Sequence, residues 1–327
     1  MGFNLQKYKG ILFTILSATI FGFTPILGRI TYDGGSNGIT LTFLRSILAL
    51  PVLYFLVRRR GLSIRVAPSE VKKILLTGVV GSALTTILLY SSYTYISVGM
   101  ATTLHFVYPL VISVACVVLF KEKMTPLKIC ALVLATAGIF FFADKSSGGS
   151  AMGFILAIAS GFFWSFYVIY LDKSGLKNMY YFKLSFYLCS VAGITAGLFG
   201  LVSGQLAVLQ LTPKAWLYSF IVAVLTSVGA VTLFQLGVLY VGPSTSAILS
   251  TFEPITSIVC GVLILGESLS LLKIIGCVLI LSGVILITLS ESKKSPPADP
   301  PAEDDTDGAG NDAVEVPALE PRQPLEQ

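Results

Sequence analysis

The sequence predicts an all-α polytopic membrane protein: ten transmembrane helices arranged as two inverted five-helix repeats around a central cavity. Three observations carry that prediction. The chain is too apolar for water, its apolar runs have bilayer-spanning length, and its second half repeats its first. Of 327 residues, 54% are hydrophobic and 12% charged, with a mean hydropathy of +0.84. A soluble domain carries roughly 25% charged residues, because its whole surface must be hydrated.

A spanning helix needs about 20 mostly apolar residues. Runs of that kind lie near 10–30, 38–57, 72–93, 98–119, 127–143, 151–171, 182–203, 215–238, 243–264 and 271–290. The first follows Lys7 and Lys9 but is too long for a signal-peptide core, so it reads as a membrane helix. Gly242-Pro243 makes the eighth-to-ninth connection a tight turn. If the N-terminus is cytoplasmic, sixteen Lys and Arg fall on the cytoplasmic side. Only Arg29, Lys145, Lys214 and Lys273 fall outside. That bias predicts both termini in the cytoplasm; a plasma membrane, the bacterial inner membrane, is the expected location.

Charge is also split along the chain. From residue 291 there are ten acids and three bases, leaving seven acids and nineteen bases in the body. The bases flank apolar runs instead of clustering on a polar face, which excludes a nucleic-acid reader. Residues 293–327 are rich in Pro, Asp and Glu and read as a disordered cytoplasmic tail. All five cysteines lie within apolar runs and none forms a CxxC, so they read as packing residues, with no metal or cofactor implied.

The repeat appears when Tyr95-Ile-Ser-Val-Gly-Met-Ala is set above Tyr240-Val-Gly-Pro-Ser-Thr-Ser. An offset of 145 then aligns Pro109 with Pro254, Glu122 with Glu267, Lys128 with Lys273, and Gly138 with Gly283. Near the start of each half, an offset of 143 pairs Gly10 with Gly153, Ser17 with Ser160, and Phe21 with Trp164. The halves are therefore residues 1–146 and 147–292. Five spans per half force the second copy to enter from the opposite side. Inverted repeats of this kind are typical of secondary transporters.

Several segments also carry a resemblance. They are Leu104-His-Phe-Val-Tyr-Pro-Leu with Phe120-Lys-Glu-Lys, and Ser250-Thr-Phe-Glu-Pro-Ile with Leu265-Gly-Glu. Phe43-Leu-Arg-Ser and Phe163-Trp-Ser join them. In order and spacing the chain resembles the drug/metabolite transporter superfamily, and within it the ten-span EamA-type exporters. The resemblance covers residues 10–290. It implies export or exchange of amino acids or other metabolites without ATP. The lack of a GxxxxGK[ST] phosphate loop agrees.

Paired helix interruptions are the best sequence pointer to a transporter's site. Pro109 and Pro254 form such a pair, each near the middle of its span, where proline bends a helix and frees a carbonyl. Packing alone is the competing account. Beside them lie Tyr108 and Glu253, which are repeat mates, and His105 and Ser250, which are also mates. At helical spacing, Ala101, His105, Tyr108 and Ile112 share one stripe, and Ser246, Ser250, Glu253 and Ser257 another. Glu253 has three readings: an anchor for a substrate amine, a carrier of a coupling proton, or an ion-pair partner of Arg45. His105, the only histidine, is either a titrating group or a structural hydrogen-bonder. Arg45 is either structural or an anchor for a substrate carboxylate. The resemblance implies that the third, sixth and eighth spans line the cavity with the first, fourth and ninth. Trp164 and Tyr90 are then expected as apolar walls with a polar tip, beside Thr232 and Gln235 of the eighth span, with a lipid-facing or interface placement of each aromatic as the alternative. The Gly193–Gly197 run reads as a helix-packing surface.

These features favour a secondary carrier over three other classes. An enzyme would want carboxylate pairs or His/Asp clusters at depth. A channel would want charge rings or carbonyl filters. A sensor would want a folded domain outside the membrane. An importer of a neutral metabolite is a further variant. Expected partners are a small-molecule substrate, the lipid bilayer and a proton as candidate coupling ion. A sugar phosphate would want several cationic groups in the cavity, and this body offers Arg45. Counterflow in proteoliposomes is therefore expected for amino acids and absent for sugar phosphates; rapid counterflow of a phosphorylated sugar alone would refute this.

Overall fold

The structure, a computed structural model, describes residues 2–96, 98–141, 150–265 and 271–292. Lys145, Gly266, Glu267 and the tail from 293 lie outside the described residues. Among the described residues every regular element is helical. In chain order they are α1 (Gly2–Asp33), α2 (Gly38–Arg59), α3 (Pro68–Ser92), a split α4 (Val98–His105, then Tyr108–Phe120) and α5 (Pro126–Phe140). The second series is α6 (Ala151–Lys173), α7 (Tyr181–Val202), α8 (Pro213–Val241), a split α9 (Pro243–Leu249, then Glu253–Leu265) and α10 (Leu271–Ser292).

Local chemistry sets the ends. Proline opens α3, α5, α8 and α9, where its missing N–H would have no helical partner anyway. Asn37, Thr125, Ser150 and Thr212 cap their helices by accepting from backbone N–H groups two or three residues on. The tight turn between α8 and α9 forms at Gly242, whose φ of +80° suits a residue without a Cβ.

Seven of the ten expected spans are long and apolar enough to cross a bilayer, by length and composition. Pro126–Phe140 and Ile274–Leu289 are shorter apolar helices. The ninth run is interrupted by a 3-10 turn at Ser250–Phe252. Large apolar side chains such as Val118, Phe140, Ile155, Leu201 and Leu263 point outward, as lipid contact requires.

The internal repeat reappears as packing symmetry. Exchanging the halves pairs α1 with α6, α2 with α7, α3 with α8, α4 with α9, and α5 with α10. Under that exchange the α1–α8 contact maps onto α6–α3, and α4–α6 onto α9–α1, while α2–α7 and α5–α10 map onto themselves. Close approaches follow the same rule. Gly10 lies against Tyr240 and Val241, as its mate Gly153 lies against Tyr95 and Ile96. Gly138 sits against Gly276 and Ile280, as its mate Gly283 sits against Ala131 and Ala135. The Gly193–Gly197 surface packs on Phe43, Ser46 and Ile47 of α2, as expected of small residues between membrane helices. A feature unseen in the sequence is a π-helical stretch in each third span, Thr77–Ala83 in α3 and Ala223–Ala230 in α8.

A Cβ at Gly138 would lie 2.8 Å from the Gly276 carbonyl oxygen. Gly138→Val is therefore expected to cost about 1–3 kcal/mol by overpacking, read as a lower melting temperature in detergent. An unchanged melting temperature would show that α5 and α10 do not meet this closely.

Candidate substrate cavity at the paired helix breaks

α4 and α9 break at equivalent places because of proline. Pro109 and Pro254 each lack an N–H and clash with the carbonyl four residues earlier, which belongs to His105 and Ser250. The outcome differs from a mid-span bend. Each proline is the second residue of a new half-helix, Tyr108–Phe120 or Glu253–Leu265. Two glycines let neighbours close over the breaks. A Cβ at Gly161 would come 2.6 Å from the His105 carbonyl oxygen, and one at Gly22 2.4 Å from that of Glu253. Ser257 seals the second contact by donating to the Gly22 carbonyl at 2.7 Å.

Between the breaks lies a cavity with about 690 Å³ of atom-free space, its mouth included. Arg45, Tyr90, His105, Tyr108, Trp164, Ser250 and Glu253 all line it. Pro109, Pro254 and Gln235 do not. Both prolines are buried, shaping the breaks from behind. Gln235 instead turns into a polar knot: its Nε2 donates to Tyr167 Oη at 3.1 Å, and its Oε1 accepts from Ser185 Oγ at 3.3 Å. Thr232 completes that knot, 3.3 Å from Ser185. The expected stripes are only half realised, since the breaks interrupt helical spacing. Ala101, Ile112 and Ser246 are fully buried off the cavity.

The wall is aromatic. Trp164 meets Phe21 edge-on at 6.3 Å, Tyr108 edge-on at 6.4 Å, and Phe234 at 5.3 Å between ring centres. Phe21, Thr24, Pro25, Thr85 and Phe234 were not singled out by sequence reasoning. Phe21 carried a signal, being the repeat mate of Trp164; Phe234 is the mate of Leu89, and both line the cavity.

The two charges stand apart. Arg45 Nη1 donates to Tyr90 Oη at 2.9 Å, with its guanidinium 5.8 Å from the ring centre. No ion pair joins Arg45 to Glu253 among the described residues, so that reading of Glu253 is corrected. The Glu253 carboxylate has no hydrogen-bond or ion-pair partner among the described residues. It lies in the first turn of its half-helix, where the helix dipole favours an anion. His105 Nδ1 lies 2.8 Å from Ser160 Oγ.

A repeat-symmetric, apolar helical bundle with a polar-centred cavity between two broken helices defines a membrane protein of the transporter class. The EamA-like transporter family matches this chain twice, over residues 8–143 and 151–289, and the chain belongs to that family. An uncharacterized transporter of Archaeoglobus fulgidus is 26% identical over 285 residues, covering 87% of this chain and 97% of its own length. One from Synechocystis sp. is 26% identical over 318 residues, covering 88% and 94%. A crystal structure superposes with a TM-score of 0.72 at 19% identity, covering 86% of this chain and 96% of that one, and so shares the fold.

Gln235→Leu removes two interhelical hydrogen bonds inside the bundle. It is expected to cost on the order of 1 kcal/mol and to lower the melting temperature by a few degrees; a stabilised variant would refute the knot.

Proposed function

We propose that this chain is a secondary carrier of small zwitterionic or amphiphilic metabolites, amino acids first among them, working by alternating access. In this reading ten spans form two inverted repeats, residues 1–146 and 147–292. Both termini face the cytoplasm of a bacterial inner membrane, export is the favoured direction, and no catalysis is involved.

One asymmetry carries the reading. Thr24, Pro25, Arg45, Tyr90 and Tyr93 of the first half line the cavity. Their repeat mates are Tyr167, Val168, Leu188, Gln235 and Val238, which are buried and off it. The cavity thus runs from the breaks toward one end of the bundle. At the other end the equivalent positions are packed shut and tied by the Gln235 knot. Two inverted halves that exchanged these conformations would close the first mouth and open the second. A membrane channel has no need of such an exchange.

The cavity chemistry supports the substrate class. A carboxylate without a partner suits a substrate amine, a separate guanidinium suits a substrate carboxylate, and aromatic rings suit an apolar side chain. Glu253 is also the candidate carrier of a coupling proton, since a lone intramembrane carboxylate is a functional group by default.

Counterflow of labelled amino acids into proteoliposomes tests the carrier. Saturable counterflow is expected; flux that never saturates would indicate a channel. Glu253→Gln should lower pH-dependent transport at least tenfold while expression changes less than twofold. Equal losses of both would make Glu253 structural.

A further inference from the structure

We infer that Ser160 fixes His105 in its Nδ1–H tautomer, so that Nε2 faces the cavity as a hydrogen-bond acceptor and, with Glu253, selects substrates by the N–H donors on their ammonium group. The specificity half of this inference rests on the cavity being the substrate site; the tautomer half does not.

The argument is one of proton counting. Ser160 Oγ lies 2.6 Å from the Ala157 carbonyl oxygen and 2.8 Å from His105 Nδ1. A serine hydroxyl has one proton to give. A carbonyl can only accept, and two bare oxygens 2.6 Å apart would repel, so the proton lies on the Ala157 side. Ser160 Oγ is then left with lone pairs toward His105, and Nδ1 must carry the hydrogen. A neutral imidazole with N–H at Nδ1 has its free lone pair at Nε2. The ring is 7% exposed and lines the cavity. No group among the described residues bonds Nε2.

Neighbouring polar atoms point the same way. The Glu253 carboxylate accepts and cannot donate when ionised. Buried polar atoms left unbonded by the protein mark where a ligand or water must supply the bond. Near the breaks, then, the acceptors are a carboxylate and an imidazole nitrogen. A primary ammonium offers three N–H donors and can satisfy both. A trimethylammonium has equal charge and fits aromatic walls, but it satisfies neither. His105 is thus a specificity-determining residue, and Ser160 a positioning residue that acts through it.

Because the chain has one histidine, ¹⁵N-histidine labelling reports this side chain alone. In the full-length protein in nanodiscs, the expected spectrum has the proton on Nδ1 and an unprotonated Nε2. Ser160→Thr should keep it, and Ser160→Ala should give mixed tautomers. A proton on Nε2 in the unaltered protein would overturn the inference without touching the carrier reading. For specificity the probes are phenylalanine and its N,N,N-trimethyl form. The unaltered protein should bind phenylalanine at least tenfold more tightly, and His105→Phe should shrink that ratio to under threefold. Equal binding of the two probes, or an unchanged ratio in a folded His105→Phe, would overturn the selectivity. Saturable counterflow persisting in either case would leave the carrier intact.

Discussion

Two short segments, Phe106 with Val107 and Ser250–Phe252, leave the α-helical hydrogen-bond pattern in the middle of their runs, and the rest of the bundle packs around them. Within hydrocarbon each unmet backbone group costs several kcal/mol, so irregular backbone survives only inside protein or against a wet cavity. Pro109 and Pro254 impose the breaks. Gly161 then brings α6 against the His105 carbonyl at the first break, and Gly22 brings α1 against the Glu253 carbonyl that opens the second half-helix. Ser113 and Ser244, 3.2 Å apart, tie the two broken helices to each other. The cavity is what remains where no helix closes in.

Separated charges follow from that arrangement. Two opposite charges in contact would gain about 4 kcal/mol at an effective dielectric constant of 20, so apolar surroundings should drive Arg45 and Glu253 together. They stay apart because Arg45 is held on Tyr90, through both the hydroxyl and the ring face. Glu253 is fixed at the start of its half-helix. The cavity lining therefore carries two opposite charges that do not neutralise each other.

Much of this was legible in the sequence, and the failures have physical causes. Run lengths and repeat offsets located the helices, since bilayer thickness and duplication both leave linear marks. Proline pairing located the breaks. Facing was less legible. The resemblance placed the eighth span, and Gln235 with it, on the cavity, yet Gln235 packs against Tyr167 and Ser185 while its repeat mate Tyr90 lines the cavity. Periodicity also suggested continuous stripes across residues 101–112 and 246–257, which the breaks interrupt. Arg45 looked like a partner for Glu253 because linear sequence shows charge but not which hydroxyl lies nearer. Family membership and fold were readable from pattern; the hydrogen-bond knot around Tyr167 was not, because it joins three helices distant in sequence.

The unequal repeat offsets locate the part of each half whose length is free to vary. Positions in α1 and α2 recur after 143 residues, and those from α3 onward after 145. The two-residue difference falls between the second and third helices of each half, in residues 60–67 and 203–212. Inside a helix, one inserted residue would rotate everything beyond it by about 100° and carry cavity residues such as Thr86 or Val231 toward lipid. The two halves thus keep equal length through their spans and differ in this connection. The same connection is where a tag or epitope could be inserted with the least disturbance to the site.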